Sequence, residues 1–173
     1  MRFHCRDPEA TWQAAGALAR VLEESPDCGL ILALSGPLGA GKTHFVKGLA
    51  AGLGIEPDQV ASPTFVIVRQ YRVGDRMLAH VDLYRLRSAA ALDDAGFLDL
   101  LEPAAVVAVE WADRFPEALP VDRLELRVDR EAAAKGSRSF TTSATGEGSR
   151  QLEIARRRRL DEATGANLEL DPA

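Results

Sequence analysis

Residues 36–43 read Gly-Pro-Leu-Gly-Ala-Gly-Lys-Thr, which satisfies the spacing G-x-x-x-x-G-K-[ST]. Each residue type has a task in holding a polyphosphate. The glycines remove Cβ atoms that would keep the backbone away from phosphate oxygens. Successive N–H groups then converge into an anion nest, and a helix starting near Lys42 adds its positive dipole end. The Lys42 ammonium is suited to the β- and γ-phosphates, and the Thr43 hydroxyl to Mg²⁺. The apolar run Gly29–Ser35 precedes the motif and a helical pattern follows it, which is the context it requires. The sequence therefore predicts a P-loop for a nucleoside triphosphate with Mg²⁺. Whether the γ-phosphate goes to a substrate, goes to water or is only sensed does not follow from the motif.

Further residues fit chemistry around that loop, each with a plainer alternative. Glu110 follows the apolar run Ala105–Val109. A carboxylate at the end of a buried strand can hold Mg²⁺ directly or through water; a solvated strand-end glutamate has the same signature. Asp82 lies between Val81 and Leu83, where an unpaired carboxylate is costly and needs a partner, either Arg85 or a Mg²⁺-bound water. Thr64 lies in Ser62-Pro63-Thr64, a loop that can close on γ-phosphate as a switch or simply turn the chain. His44 offers its backbone N–H in the first turn of the loop's helix, and His80 is read as packed or hydrogen-bonded. Trp12, at helical spacing with Leu18 and Leu22, is assigned to the core. Trp111 belongs either near the nucleotide or on a partner surface. The run Arg156–Arg159, with acidic residues following, is read as a solvated helix face, with RNA phosphate contact as the alternative.

The elements that must position these residues are visible in the pattern. Arg2–Cys5 is a short candidate strand. Asp7-Pro8 reads as an N-cap and first helical position, and the apolar stripe Trp12, Ala15, Leu18, Ala19, Leu22 continues that helix to Ser25-Pro26. Gly29–Ser35 and Ala105–Val109 are strands buried on both faces, as in a parallel sheet. Thr43–Leu53 is predicted helical with Gly54 as the stop. Phe65–Tyr71 and Met77–Leu83 form a hairpin about Val73-Gly74-Asp75. Ala89–Leu101 is helix-prone, with Leu92, Phe97, Leu98 and Leu101 as core candidates. Leu124–Val128 alternates as a half-exposed strand, and Ser137–Thr145 is another strand candidate. The expectation is an α/β fold: a single P-loop NTPase domain over residues 1–150, with a mostly parallel central sheet flanked by helices and an antiparallel hairpin. Residues 151–173 are read as a charged C-terminal tail.

Composition narrows the class. The 173 residues, 46% hydrophobic and 27% charged, suffice for one soluble domain with a core. A net charge of −5 speaks against a dedicated nucleic-acid binder. Cys5 and Cys28 have no metal-ligand spacing and cannot build a disulfide framework, so they read as reduced thiols. With no signal-like N-terminus and no membrane-length apolar stretch, a cytoplasmic location is expected.

Three segments beyond the P-loop carry a resemblance. They are Ser62-Pro63-Thr64-Phe65, the run His80-Val81-Asp82-Leu83-Tyr84-Arg85-Leu86, and Glu110-Trp111. In this order the set resembles the TsaE (YjeE) family over roughly residues 1–145. The resemblance implies a small α/β ATPase of the bacterial pathway that makes threonylcarbamoyladenosine in tRNA. It further implies ATP and Mg²⁺ as cofactors, and TsaB and TsaD as partners. TsaD would transfer the threonylcarbamoyl group while ATP hydrolysis resets the machine. Any tRNA contact is expected to be indirect or weak, and no membrane is implied. Position by position, Leu38, Gly39, Ala40, Gly41, Lys42, Thr43 and His44 match the phosphate grip, and Thr43 and Glu110 match Mg²⁺ ligands. Thr11 and Arg138 match positions that contact the nucleotide. Lys42, Thr64, Asp82 and Glu110 match positions tied to activity. Ala112 stands where the family often has proline, and Ala15, beside Gly16, where it often has glycine. Two rival readings stay open: a small-molecule or nucleoside kinase, and a nucleotide-switched binding module with negligible turnover.

Overall fold

The computed structural model describes residues 1–131, 136–163 and 167–171. An eight-stranded sheet forms its centre: β1 (Arg2–Cys5), β2 (Leu30–Ser35), β3 (Val68–Val73), β4 (Arg76–Asp82), β5 (Val106–Glu110), β6 (Leu124–Arg130), β7 (Arg138–Ala144) and β8 (Leu168–Leu170). Their order in space is β3-β4-β5-β2-β6-β7-β1-β8. The four central strands β4, β5, β2 and β6 run parallel, and the outer pairings are antiparallel. The helices are α1 (Pro8–Glu23), α2 (Lys42–Gly52), α3 (Ala90–Asp94) and α4 (Glu147–Ala163). Among the described residues, none of the helices is long and apolar enough to cross a membrane.

Side-chain alternation divides the core in two. Leu32, Leu34, Leu78, Val106, Ala108, Leu124 and Leu126 pack with residues of α1, α2 and α4 on one side. Ala33, Ala79, Val81, Val107 and Val109 pack with Leu83, Leu92, Phe97 and Leu100 on the other. All five residues of β5 are buried, which is why its sequence is an unbroken apolar run up to Glu110. The start of α1 follows its sequence signals: the Asp7 side chain accepts from Ala10 N at 2.7 Å and Pro8 takes the first turn. The close approach of α1 and α2 depends on small residues. A Cβ on Gly52 would lie 2.5 Å from the Ala19 Cβ.

Several expectations are corrected. The predicted strand Phe65–Tyr71 begins only at Val68, because Pro63 O accepts from both Val66 N and Ile67 N, and Ile67 takes φ 67°. Phe65 and Val66 are left exposed. The helical pattern at Ala89–Leu101 is broken by Gly96, whose φ is 79°. Only Ala90–Asp94 is α-helical, and a short 3₁₀ turn follows at Leu98–Leu100. Leu92 and Phe97 are core, but Leu98 is exposed and Leu101 half-buried. Trp12 is half-buried, not core.

The C-terminal segment is the largest surprise. α4 runs through residue 150, the expected edge of the domain, and packs on α1, while β8 pairs with β1. Residues 164–166 and 172–173 of that segment, and Lys135 ahead of Arg138, lie outside the described residues. Arg156, read as part of a solvated face, is wholly buried. Its guanidinium carbon lies 4.7 Å from the Phe3 ring centre and 5.7 Å from that of Phe45. Its nitrogens have no hydrogen-bond partner among the described residues, and burial pushes its pKa down to about 10.

Two stability predictions follow from these contacts. A buried cation without hydrogen bonds costs more than stacking on rings returns. Arg156→Met should therefore unfold at higher urea, by roughly 1–4 kcal/mol, while Arg156→Ala should lose stability to a cavity. A methionine variant clearly weaker than the parent would show the opposite balance. The second concerns His4, which bonds Glu131 through Nδ1 and Asp171 through Nε2 at 3.0 Å. Burial opposes its charge, but the two carboxylates prevail and raise its pKa above the ordinary histidine value. The stability it adds is thus complete below pH about 6.5 and lost as pH rises through the raised value. Urea midpoints measured across that window should fall in the parent and stay flatter in His4→Asn.

Candidate active site

The loop from Gly36 to Gly41 joins β2 to α2 and owes its path to positive φ. Gly36, Gly39 and Gly41 have φ of 128°, 69° and 112°. A Cβ on Gly36 would lie 2.1 Å from Val128 O, so only glycine lets the loop press against β6. Gly41 is the N-cap of α2 and no side chain caps that end, which leaves first-turn amides for a ligand. Lys42 is buried, donates to Gly36 O at 2.7 Å and Pro37 O at 3.1 Å, and lies 3.7 Å from the centre of the Trp111 ring. Burial lowers its pKa, opposed by Glu110, Asp113 and Asp82.

The parallel register sets Leu34 and Asp82 level with Glu110 on either side. Glu110 and Asp82 are both buried at the ends of their strands. Glu110 Oε1 accepts from Thr43 Oγ1 at 2.7 Å and from His80 Nε2 at 2.8 Å. Asp82 accepts from Ser62 Oγ at 3.0 Å, from Thr64 Oγ1 and from Tyr84 N at 2.9 Å. The Asp82–Arg85 pair offered by the sequence does not form. Arg85 instead lies over the exposed Phe65 ring at 4.1 Å.

These residues surround one cavity. Residues Leu38 to His44, together with Thr64, Asp82, Glu110 and Trp111, line about 350 Å³. An adjoining cavity of about 340 Å³ shares Gly39, Gly41 and His44 and adds Thr11 and Arg138. All the sequence-predicted site residues therefore line one or other of two cavities that share a wall. A third cavity, of about 350 Å³, opens beside Gly29 and Ser149. There Asp122 already accepts from Gly148 N and Ser149 N, so those amides are taken.

The donor set fits Mg²⁺. Thr43 and Glu110 present hard oxygens 2.7 Å apart beside the loop. Among the described residues no three His, Cys, Asp or Glu side chains gather as a metal cage. Few protein ligands suit an ion that takes the rest of its shell from water and phosphates.

The family model described as threonylcarbamoyl adenosine biosynthesis protein TsaE matches residues 5–140. The chain belongs to the TsaE family. It is 37% identical over 146 residues to the tRNA threonylcarbamoyladenosine biosynthesis protein TsaE of Bacillus subtilis, covering 84% of this chain and 87% of that one. It is 42% identical over 137 residues to the TsaE protein of Streptomyces coelicolor, covering 77% and 90%. The crystal structure of Bacillus subtilis YdiB superposes with a TM-score of 0.66 at 30% identity, over 95% of this chain and 96% of that one. The TsaE match contains the whole cavity and stops within β7, so α4 lies beyond it.

Of four further contributors to this TsaE-family site, the sequence reading missed Arg130 and left the contacts of His44, His80 and Trp111 open. His44 does more than offer its amide: Nδ1 accepts from Trp12 Nε1 at 3.3 Å and Nε2 donates to Pro8 O at 3.0 Å, tying α2 to α1. Trp111 takes φ 60°, a sparse conformation for a bulky residue, and so lays its ring beside Lys42 and Tyr84. His80 contacts Glu110, as above. Arg130 donates from Nε to Gly39 O at 3.1 Å and from Nη2 to Leu38 O at 3.0 Å. Arg138, directly opposite it in the register, donates to Ala40 O. Two guanidinium groups thus hold three successive loop carbonyls. Only the hairpin register could have revealed this, and it depends on a connection whose length the sequence pattern does not fix.

Gly39→Ala tests that arrangement. The new Cβ would fall 2.2 Å from Arg130 Nη2, at a φ that costs a residue with a Cβ about 1–2 kcal/mol. Thermal unfolding should drop accordingly, and Arg130→Ala in the same background should cost less than it does alone. Additive losses would mean the two positions are uncoupled.

Proposed function

We propose that this protein binds ATP with Mg²⁺ through Leu38 to His44 and hydrolyses it in tRNA threonylcarbamoyladenosine biosynthesis, acting with TsaB and TsaD proteins. The observation that carries this reading is the convergence of Lys42, Thr43, Asp82 and Glu110, drawn from one loop and two parallel strand ends, on one cavity. Thr11 and Arg138 extend the grip toward the rest of the nucleotide. The names of the relatives support the tRNA threonylcarbamoyladenosine pathway in this reading.

The chain's own groups divide the work. Loop amides and the Lys42 ammonium, released from Gly36 O and Pro37 O, take the β/γ-phosphate charge. Thr43 and Glu110 hold Mg²⁺, which when bound neutralises charge that develops on the phosphate oxygens. With Glu110 assigned to the metal ion, Asp82 is the carboxylate of the cavity left to orient water. Thr64 and Ser62 on Asp82 tie that carboxylate to the loop that closes the site.

The arginines near the cavity are otherwise engaged. Arg130 and Arg138 hold loop carbonyls and Arg85 lies on Phe65. A site that lacks a cationic group for the transition state runs roughly 10³–10⁵ slower. The rim meanwhile exposes Leu38, Phe65, Val66 and Tyr84, an apolar border suited to a protein partner.

The isolated chain should therefore turn over ATP slowly, and added TsaB and TsaD should accelerate it. The assay adds TsaB, TsaD and tRNA in turn, with Lys42→Ala as the variant that loses turnover throughout. ATP should also tighten partner binding relative to ADP. Fast hydrolysis by the chain alone, unchanged by partners, would overturn the reading in favour of an autonomous NTPase. Turnover by Lys42→Ala at the parent rate would remove the loop from the mechanism.

A further inference from the structure

We propose that His80 is a positioning residue for Glu110, fixing that carboxylate for the metal ion; the inference rests on the reading of Glu110 as a Mg²⁺ ligand. Strand alternation puts Leu78, His80 and Asp82 on the α2 side of β4, while Met77, Ala79 and Val81 face the other core. His80 is fully buried among apolar neighbours of its own strand, where an imidazole is expensive without a partner. Its Nε2 donates to Glu110 Oε1 at 2.8 Å, and its Nδ1 has no partner among the described residues. The ring therefore makes one hydrogen bond, and that bond goes to the strand-end carboxylate of the site.

The terminal torsion of a glutamate is soft, so burial alone does not orient its oxygens. Two donors, Thr43 Oγ1 and His80 Nε2, meet on the same Oε1 and fix the group, and Oε2 accepts no hydrogen bond from the described residues. In the loaded site the Thr43 oxygen serves as a ligand. Of the two donors, His80 is then the one that is not itself a ligand, and it holds Glu110 from β4 while Thr43 does so from the first turn of α2. Partners of this kind around metal ligands are worth 10–100-fold in metal affinity.

The test separates positioning from packing. ADP binding is measured by calorimetry across a Mg²⁺ series and again in EDTA, for the full chain and three variants. His80→Leu fills the space without the N–H, His80→Gln returns an N–H near the Nε2 position, and Glu110→Gln weakens the ligand itself. The leucine variant should need about 10–100-fold more Mg²⁺ to reach the same ADP affinity. Its affinity in EDTA should equal the parent's, and glutamine should recover most of the loss. Adding Glu110→Gln to His80→Leu should cost little further. The proposal is overturned if His80→Leu keeps the parent's Mg²⁺ dependence while Glu110→Gln loses it. It is also overturned if ADP affinity in EDTA falls by the same factor, which is the mark of a packing role. Should Glu110→Gln itself keep full Mg²⁺ dependence, the metal reading of Glu110 fails and this inference with it.

Discussion

Parallel pairing of β5 with β2 on one side and β4 on the other sets Leu34, Glu110 and Asp82 level across the sheet. Everything chemical in the molecule depends on that register. A slip of one residue would turn Glu110 toward the opposite core and separate it from both Thr43 and His80. The register is held by apolar side chains on both faces of β5, which is why the strand has no polar residue until its last. Because parallel strands all end at the same edge, the loop after β2 and the carboxylates ending β4 and β5 arrive together.

At that edge the structure accepts local costs that the core offsets. Trp111 and Ile67 both adopt positive φ, each worth about 1–3 kcal/mol of strain. Trp111 lines the cavity and covers Lys42, and Ile67 ends the loop that carries Ser62 and Thr64 to Asp82. Three charged side chains, Lys42, Asp82 and Glu110, are nearly excluded from solvent there. Each is matched by hydrogen bonds, so the desolvation is compensated in place and the groups remain directed at the cavity.

The far end of the sheet follows a different logic. β1, β7 and β8 are joined antiparallel and closed by α4, whose Arg156 reaches the aromatic group Phe3, Phe45 and Phe140. Phe45 belongs to α2, the helix that begins at Lys42, so α4 buttresses the helix that follows the glycine-rich loop. In a linear reading the same arginines look like a solvated run, because four consecutive charges hide the fact that one of them points inward.

The sequence alone determined what short-range chemistry encodes. The glycines, Lys42 and Thr43 announce their loop because only those residue types satisfy its backbone and charge requirements. Asp7 and Pro8 announce a helix start, and the unbroken apolar runs before Ser35 and Glu110 announce buried parallel strands. Residue types at fixed spacing likewise carried the TsaE family resemblance. Tertiary structure decided what depends on partners distant in the chain. Asp82 chose Thr64 and Ser62 over Arg85, and Trp12 left the core for His44. Arg130 met a loop more than ninety residues away, and His80 met Glu110 on the neighbouring strand. A one-dimensional pattern fixes which face a side chain takes, but which group waits there is set by strand order and register, and those exist only once the sheet has assembled.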